Sequence, residues 1–520
     1  MINNSFPEFL FIRTCIVGLR TITPLCISWT VIRPFAFPVG QLKLLPLDIY
    51  AGLETLFFIA VYLPLRARSQ RSIIHPPAAS QPDRRTLLTR CVATTSDHMQ
   101  YLRRWFLDAR LEDIKSGNLK EFFAWALLNK SSAREATIVG AHNCVTQDEE
   151  KELDEYVQML ETGMSQQLED GYGSAKSLRL TLDEARMKHR PLVWYLIVFI
   201  VDAQTHLWLW WHRFTYYRKP LSRPYPTVLP PRPQTLLSRH VSSTYEFSYW
   251  YRPHTSTTHK PILFLHGIGI GLNTYVPFLS SLSTSSASPS GQIGIIALEL
   301  LPISFRITSS LPRRSDFLSS LQQLLSNHPE FLSGFTVVAH SYGSVLATHI
   351  ISSSLRPLIH SLVLVDPVSI LLHLPDVAYN FTYRSPRKAS EWQLWYFAST
   401  DMGVAHTLAR GFFWSENVMW KEDVSDLRVC VWLAGRDIIA PTGEIKAYLT
   451  RVKDGGEGWG RGQWDEEGVS WRSQGQAVEK KVVWCEDVDH AQIFDRKEWR
   501  KMLVEEVRSA TAVAGDNSVG

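Results

Sequence analysis

The stretch Val337-Val338-Ala339-His340-Ser341-Tyr342-Gly343-Ser344 decides the fold of this chain. A short apolar run, typical of a buried strand, passes directly into a helical pattern through a small-x-Ser-x-Gly turn. A serine on so tight a turn projects its Oγ clear of the sheet, and the residues two before and two after it must be small. Ala339 and Gly343 occupy those positions, with alanine where the usual pattern has glycine. The turn therefore makes Ser341 a candidate nucleophile.

Short apolar runs of the same kind recur on both sides of this turn. They are Pro261–Leu265, Ile293–Leu298, Phe335–Ala339, Ser361–Val365, Arg428–Ala434 and Lys481–Cys485. Helical patterns alternate with them, which predicts an α/β fold with a mainly parallel sheet. In such sheets ligands bind at the carboxyl ends of the strands.

Candidate partners for the serine lie at the ends of two later strands. A nucleophilic serine needs a base and an acid that orients the base. Asp437 follows the run that ends at Ala434, and His490 follows the run that ends at Cys485. Asp366, directly after Val365, is an alternative acid.

Other polar residues near these positions are interpreted differently. We expect His340 to pack under the sheet and His266 to support the loop that follows its strand. Asp487 and Asp489 flank His490, but a near neighbour in sequence rarely reaches the imidazole, so we expect both to be solvated.

On these residues, the region from about 240 to 510 resembles the serine hydrolases of the α/β-hydrolase fold, esterases and lipases among them. The resemblance implies that Ser341 is the nucleophile, His490 the general base and Asp437 the acid. It makes the loop His266-Gly267-Ile268-Gly269 one wall of an oxyanion hole, with the backbone N–H groups of Ile268 and Tyr342 as donors. It also implies a helical lid, here at residues 368–426, whose many aromatic side chains would make the substrate pocket apolar.

Composition and charge exclude several classes of protein. The chain has 520 residues, 45% of them hydrophobic and 20% charged, which is too charged for a polytopic transporter, and it is too rich in aromatic residues for a disordered protein. A net charge of +4 over 520 residues does not indicate binding to nucleic acid. No spacing of residues supports a binding site for a metal, a nucleotide or another cofactor. The six cysteines, at positions 15, 26, 91, 144, 430 and 485, are scattered and are interpreted as buried thiols of a reducing compartment.

The N-terminal residues 1–72 predict a membrane-association segment. They contain two apolar stretches, Phe9–Ile32 and Leu45–Leu65. Asp48 and Glu54 lie in the second, where each charge would cost about 3 kcal/mol at the centre of a bilayer. The basic cluster at residues 66–71 would stay on the cytoplasmic side, with the catalytic domain. The alternative is a hydrophobic arm packed on the catalytic domain.

The remaining boundaries follow from composition. Residues 73–235 predict a helical region with Pro-rich linkers, and within it residues 191–217 fit either a membrane headgroup layer or a protein core. The catalytic domain is placed at 236–510, with a flexible insertion at 454–476, and residues 511–520 are expected to be a disordered tail.

The sequence thus predicts a membrane-associated serine hydrolase that cleaves carboxylic esters, in particular hydrophobic or lipid esters, through an acyl-enzyme on Ser341. Two alternatives stay open: an acyltransferase that uses the same residues, and a membrane-tethered interaction module without turnover.

Overall fold

The computed structural model describes residues 2–36, 45–71, 75–130, 145–220, 228–282, 291–451 and 459–513. Its strands are β1 Thr215–Arg218, β2 His240–Val241, β3 Ser248–Arg252, β4 Ile262–Leu265, β5 Ile295–Glu299, β6 Phe335–His340, β7 Ile359–Val365, β8 Arg428–Ala434, β9 Gly462–Trp464, β10 Ser470–Ser473 and β11 Lys480–Cys485. They form one sheet in the order β2-β1-β3-β5-β4-β6-β7-β8-β11-β10-β9.

The centre of this sheet is parallel, as predicted. Strands β5, β4, β6, β7, β8 and β11 run in the same direction. Every side chain of β4 and β6 is buried, which explains why these strands are continuous apolar runs rather than alternating ones. Antiparallel β3 borders β5 on one side, and antiparallel β10 borders β11 on the other.

Part of the segment expected to be a flexible insertion is instead an ordered hairpin. Strands β9 and β10 pair antiparallel and extend the sheet beyond β11. The turn between them is held by Asp465, whose carboxylate accepts the N–H groups of Val469 (2.7 Å) and Ser470 (3.0 Å). Trp471 anchors the hairpin, since it is only 1% exposed. Residues 452–458 of that segment lie outside the described residues.

The described helices surround the sheet and form the N-terminal region. They are α1 Phe6–Ala36, α2 Pro46–Leu56, α3 Leu63–Ser69, α4 Gln81–Thr94, α5 His98–Trp105, α6 Ser116–Leu128, α7 Gln147–Met164, α8 Leu192–Trp211, α9 Pro233–Leu237, α10 Val276–Ser281, α11 Arg314–Ser326, α12 Gly343–Ile351, α13 Pro375–Ala378, α14 Ala389–Gln393, α15 Met402–Gly411, α16 Trp414–Asn417, α17 Thr442–Thr450, α18 Gln492–Asp495 and α19 Lys497–Thr511. A π-helical stretch, Phe57–Tyr62, joins α2 to α3.

The segment between β7 and β8 is the predicted helical lid. It contains α13 to α16 and two π-helical stretches, Tyr379–Tyr383 and Leu394–Ser399. A separate apolar cluster formed by α4 to α7 packs against this lid, where the Trp414 indole N–H donates to the Ala126 carbonyl at 2.8 Å. The helical region before the sheet is therefore joined to the lid by direct contacts.

Helix α1 both packs on the lid and exposes apolar side chains. Ile12 and Ile16 are buried against Ala389 and Tyr396 of the lid region. Other large apolar side chains of α1, such as Phe11 and Val17, are more than half exposed. One face of α1 thus packs on the protein, as the interpretation of a packed arm predicts. Another face exposes apolar side chains, as the interpretation of a membrane segment predicts.

The two acidic residues of the second apolar stretch have partners within the protein. Asp48 forms an ion pair with Arg33 of α1 at 2.9 Å. Glu54 is fully buried and accepts hydrogen bonds from the Thr23 hydroxyl (2.6 Å) and the Leu192 N–H (2.7 Å). Such pairing reduces the cost of a charge in apolar surroundings.

Helix α8 also has two faces. Asp202 points into the protein and pairs with Arg232 (2.9 Å) and Arg306 (2.6 Å), while Trp210 and Trp211 are 66% and 77% exposed. Three of the described helical segments, Phe6–Phe35, Pro46–Ser69 and Leu192–Trp211, are long and apolar enough to cross a membrane.

Two further sequence interpretations concern the cysteines and the C-terminal tail. Cys26, Cys91, Cys430 and Cys485 are buried and Cys15 is partly exposed, whereas Cys144 lies outside the described residues. Helix α19 continues to Thr511, one residue into the expected tail, and residues 514–520 of that tail lie outside the described residues.

Candidate functional site

Ser341 lies on a sharp turn between β6 and α12. Its backbone is left-handed, with φ of +51°, and its N–H donates to the Val365 carbonyl of β7 at 3.0 Å. A Cβ added at Gly343 would lie 2.2 Å from the Leu265 carbonyl oxygen, and Ala339 is completely buried. The close approach of β4 therefore requires the small residues that the sequence pattern has around the serine.

The structure brings Ser341, His490 and Asp437 together. His490 Nε2 lies 2.8 Å from Ser341 Oγ, and His490 Nδ1 lies 2.7 Å from Asp437 Oδ2. The other oxygen of Asp437 accepts the backbone N–H groups of Ile439 (2.7 Å) and Ala440 (2.9 Å). These bonds fix the carboxylate in a loop at the carboxyl end of β8, facing the loop after β11.

The chain combines a parallel central sheet, a sharp turn after β6 and a helical insertion after β7. Ser341, Asp437 and His490 lie beyond the carboxyl ends of three of its strands. The chain has the α/β-hydrolase fold. This assignment rests on the topology and on the geometry of the turn.

Comparisons with known proteins find distant likenesses among solved structures. No family model and no curated protein sequence matches the chain. Among solved structures, a bacterial membrane phospholipase A matches with 10% identity and a TM-score of 0.36, covering 61% of this chain and 94% of that one. The naproxen esterase of Bacillus subtilis matches with 10% identity and a TM-score of 0.32, covering 51% and 89%. A peroxisomal α/β-hydrolase of Saccharomyces cerevisiae matches with 12% identity and a TM-score of 0.32, covering 52% and 84%. We draw no conclusion about activity from likenesses at this level.

Asp366, the alternative acid, is engaged elsewhere. It is fully buried, and its two oxygens accept the N–H groups of Ala434 and Ala491, each at 2.9 Å. Burial raises the pKa of this carboxyl to about 7, although the nearby His490 and the two N–H donors act in the opposite direction. Asp366 thus ties the loop of His490 to the end of β8, and its carboxylate does not bond the imidazole.

Asp489 is not solvated, contrary to the sequence interpretation. Its side chain is buried, and Oδ1 accepts the N–H groups of His490 (2.7 Å) and Ile438 (3.1 Å). It therefore links the loop of the imidazole to the loop of Asp437 through the backbone. Asp487 is exposed, as expected, and pairs with Arg436 at the surface.

The loop after β4 lies directly beside the serine. A Cβ added at Gly267 would lie 2.7 Å from the Ser341 Cβ, so only glycine allows this approach. The Gly267 N–H donates to the Tyr275 hydroxyl at 3.3 Å. In the described part of the chain, the N–H groups of Ile268 and Tyr342 have no acceptor. These two groups, not that of Gly267, are free to receive an oxyanion.

His340 and Tyr275 connect this loop to the turn of Ser341. The Tyr275 hydroxyl, which accepts the Gly267 N–H, also forms a hydrogen bond with His340 Nδ1 at 2.7 Å. Burial lowers the pKa of His340 well below its ordinary value, so its ring is neutral. His266 supports the same loop as expected: its Nε2 accepts the Leu300 N–H at 3.0 Å, and its Nδ1 lies 2.7 Å from the Gly267 carbonyl.

The electrostatic surroundings favour the charged form of His490. Burial alone would lower the pKa of this imidazole, but Asp437 opposes that effect by its charge and its hydrogen bond, and Asp366 and Asp489 add to it. The result is a pKa raised to about 9. Acidic groups at this rim of the sheet therefore stabilise an imidazolium.

Ser341 borders two cavities. The larger, of about 760 Å³, is lined mainly by apolar side chains together with Ser341 and His490. The smaller, of about 60 Å³, also reaches Ser341 and is lined by Tyr342, Val368 and aromatic side chains of the lid. Because both cavities border Ser341, they suit a substrate with a substituent on each side of the atom that Ser341 Oγ would attack.

The carboxylates of Asp366 and Asp437 and the ring of His490 are also a possible metal-binding set. One ligand atom from each lies within 4.8 Å of the others. Both nitrogens of His490 are already hydrogen-bonded, however, to Asp437 and Ser341. The arrangement is therefore better suited to proton transfer than to metal binding.

Proposed function

We propose that this protein is a serine hydrolase that cleaves carboxylic esters through an acyl-enzyme on Ser341. The observation that carries the proposal is the chain of two hydrogen bonds, Ser341 to His490 at 2.8 Å and His490 to Asp437 at 2.7 Å. Both distances are within the reach that proton transfer requires.

The hydrogen bonds support a distinct role for each side chain. The Asp437 carboxylate accepts a hydrogen bond from the Nδ1–H of His490, which leaves the Nε2 lone pair directed at Ser341 Oγ. His490 removes the hydroxyl proton as Oγ attacks the ester carbonyl carbon, and the imidazolium that forms is stabilised by Asp437. The same proton is then given to the leaving alcohol, and a water molecule repeats the sequence to release the acid.

Backbone groups would stabilise the oxyanion of the tetrahedral intermediate. The N–H groups of Ile268 and Tyr342 lie on the two loops that meet at Ser341, and one such donor is typically worth about 10²- to 10³-fold in rate. The contact of Gly267 with Ser341 and the bond from Tyr275 to His340 hold the first of these loops against the turn.

We further propose that the protein is membrane-associated and that its esters are hydrophobic lipids. Three helical segments have the length and composition to cross a membrane, and the cavity over Ser341 is largely apolar. The basic residues Arg66, Arg68 and Arg71 lie at the carboxyl end of the second of these segments, which favours the cytoplasmic side for that end and for the catalytic domain.

The test is hydrolysis by purified protein of esters with acyl chains of two to eighteen carbons, presented in detergent micelles. The proposal predicts that wild type cleaves them, with a preference for longer chains, and that Ser341→Ala does not. Products are analysed with and without added alcohols. Transfer of the acyl group to the alcohol in place of water would show an acyltransferase, and turnover by Ser341→Ala equal to wild type would overturn the proposal.

A further inference from the structure

The N-terminal helix α1 forms part of the wall of the cavity over Ser341. Of the residues that line this cavity, Phe11, Ile12, Cys15, Gly18, Leu19 and Ile22 belong to α1. They are more than 300 positions away from the serine along the chain. The segment predicted to associate with a membrane, or to pack on the catalytic domain, thus also contributes to the cavity over Ser341.

Helix α8 lines the cavity beside α1. It contributes Val193, Trp194 and Ile197. Trp194 is buried against Phe397 of the lid, with ring centroids 5.2 Å apart, so this end of α8 is firmly seated. The part of the cavity wall that α8 forms is therefore held in place by the lid.

The edge of the cavity lies on the exposed apolar surface of these helices. Phe11 and Ile197 both line the cavity, yet they are 63% and 42% exposed. Their neighbours Leu10 and Leu196 are 57% and 54% exposed. Both helices belong to the segments long enough to cross a bilayer, so this surface is suited to contact with lipid hydrocarbon.

The charge of the lining limits the kind of substrate. The described residues that line the cavity include no lysine or arginine, and one of them, Asp495, is acidic. Apart from the proposed base His490, none of these residues offers a cationic partner to a phosphodiester headgroup, which would lose its hydration there without compensation. An uncharged ester has no such cost.

We propose that the cavity opens between α1 and α8 into the hydrocarbon layer of a membrane, and that a neutral lipid ester reaches Ser341 sideways from the bilayer. This inference rests on the proposed function. It assigns α1 a role in selecting the substrate, in addition to any role in membrane attachment.

Two glycines provide a matched test. Gly18 lines the cavity on α1, whereas Gly52 lies on α2 and does not. A Cβ added at either glycine meets no heavy atom within 4 Å, so both positions accept a side chain. The variants Gly18→Phe and Gly52→Phe therefore add the same group to two apolar helices, but only the first narrows the opening.

Each variant, in detergent-solubilised full-length form or in vesicles, is assayed on two substrates. One is 4-nitrophenyl acetate in water, and the other is a long-chain diacylglycerol dissolved in phosphatidylcholine vesicles. Gly18→Phe is expected to lower kcat/KM for the diacylglycerol by about tenfold or more, since one misplaced group in an apolar pocket has effects of this size. Its effect on acetate hydrolysis should be much smaller than its effect on the diacylglycerol, and Gly52→Phe should leave both activities within about twofold of wild type.

The outcomes separate this inference from the proposed function. Unchanged diacylglycerol hydrolysis by Gly18→Phe, or equal losses on the two substrates, would overturn the sideways route. Faster release of fatty acid from the phosphatidylcholine than from the diacylglycerol would overturn the assignment to neutral esters. If wild type cleaves neither substrate and a fluorophosphonate does not label Ser341, it is the proposed function that fails.

Discussion

Replacing Asp437 by asparagine tests the proposed acid with almost no change in shape. Oδ1 of Asp437 accepts two backbone N–H groups, from Ile439 and Ala440, and only an oxygen can do so. The amide of Asp437→Asn must therefore place its carbonyl oxygen there and turn its NH₂ toward His490 Nδ1. An NH₂ group donates, so Nδ1 must become the acceptor and the ring proton moves to Nε2.

The magnitude follows from that change of tautomer. A proton on Nε2 faces Ser341 Oγ over a distance of 2.8 Å and removes the base from the reaction. The Asp437 carboxylate, whose side chain is fully buried, no longer stabilises the imidazolium. In serine proteases that use the same three types of side chain, this exchange costs about 10⁴-fold in kcat, or about 5.4 kcal/mol of barrier. We expect a loss of the same order here, with the two backbone bonds of the loop intact.

The matched control is Asp366→Asn. The amide can replace only one of the two oxygens that accept the N–H groups of Ala434 and Ala491, so one N–H loses its partner. We expect a lower free energy of unfolding by about 1–3 kcal/mol and a loss of kcat below about tenfold. Steady-state kinetics and denaturant unfolding of both variants measure these effects. A larger loss of kcat in Asp366→Asn than in Asp437→Asn would refute the assignment of the acid.

Three further predictions concern the proton, the loop and its glycine. His490 must be deprotonated to act as a base, and its pKa is raised to about 9, so kcat/KM should rise as the pH increases from 6.5 towards 9. A pH profile of kcat/KM that is already at its plateau at pH 6.5 would contradict this prediction. Tyr275→Phe removes the hydroxyl that is hydrogen-bonded to both the Gly267 N–H and His340 Nδ1, so the free energy of unfolding should fall by about 1–3 kcal/mol and kcat should fall more than KM changes. Thermal denaturation and steady-state kinetics test both effects, and an unchanged kcat would show that this hydroxyl does not position the loop. Gly267→Ala would place a Cβ 2.7 Å from the Ser341 Cβ and so displace the Ile268 N–H. The kcat of ester hydrolysis should therefore fall by about 10²- to 10³-fold, and full activity would mean that this loop does not hold the oxyanion.

The central sheet could be predicted from the sequence because its strands are buried on both faces. Their apolar runs are short and continuous, and the predicted limits of β8 match the structure fully. Strand β3 was not predictable in this way, since it contains Ser248 and Arg252 at its ends. Arg252 is fully buried and bonds the carbonyl oxygens of Leu279 and Ile293, partners that no local pattern reveals.

The sequence allowed the site residues to be predicted only from their order along the chain and from their positions at the ends of strands. Ser341, Asp437 and His490 each follow a strand that the sequence reveals. Tyr275 and Asp489 were missed or misinterpreted because their roles depend on backbone groups of other loops. The part that α1 plays in the cavity could not be foreseen, since an exposed apolar helix gives the same sequence pattern whether or not one face covers a site.

The serine nucleophile can be tested most directly by covalent labelling. The purified protein is treated with a fluorophosphonate, which reacts with an activated serine hydroxyl, and the labelled peptide is identified by mass spectrometry. The account predicts one adduct per chain, on Ser341, that is lost in Ser341→Ala and greatly slowed in Asp437→Asn. Labelling of another serine at the same rate, or no labelling of a folded protein that binds the membrane, would contradict it.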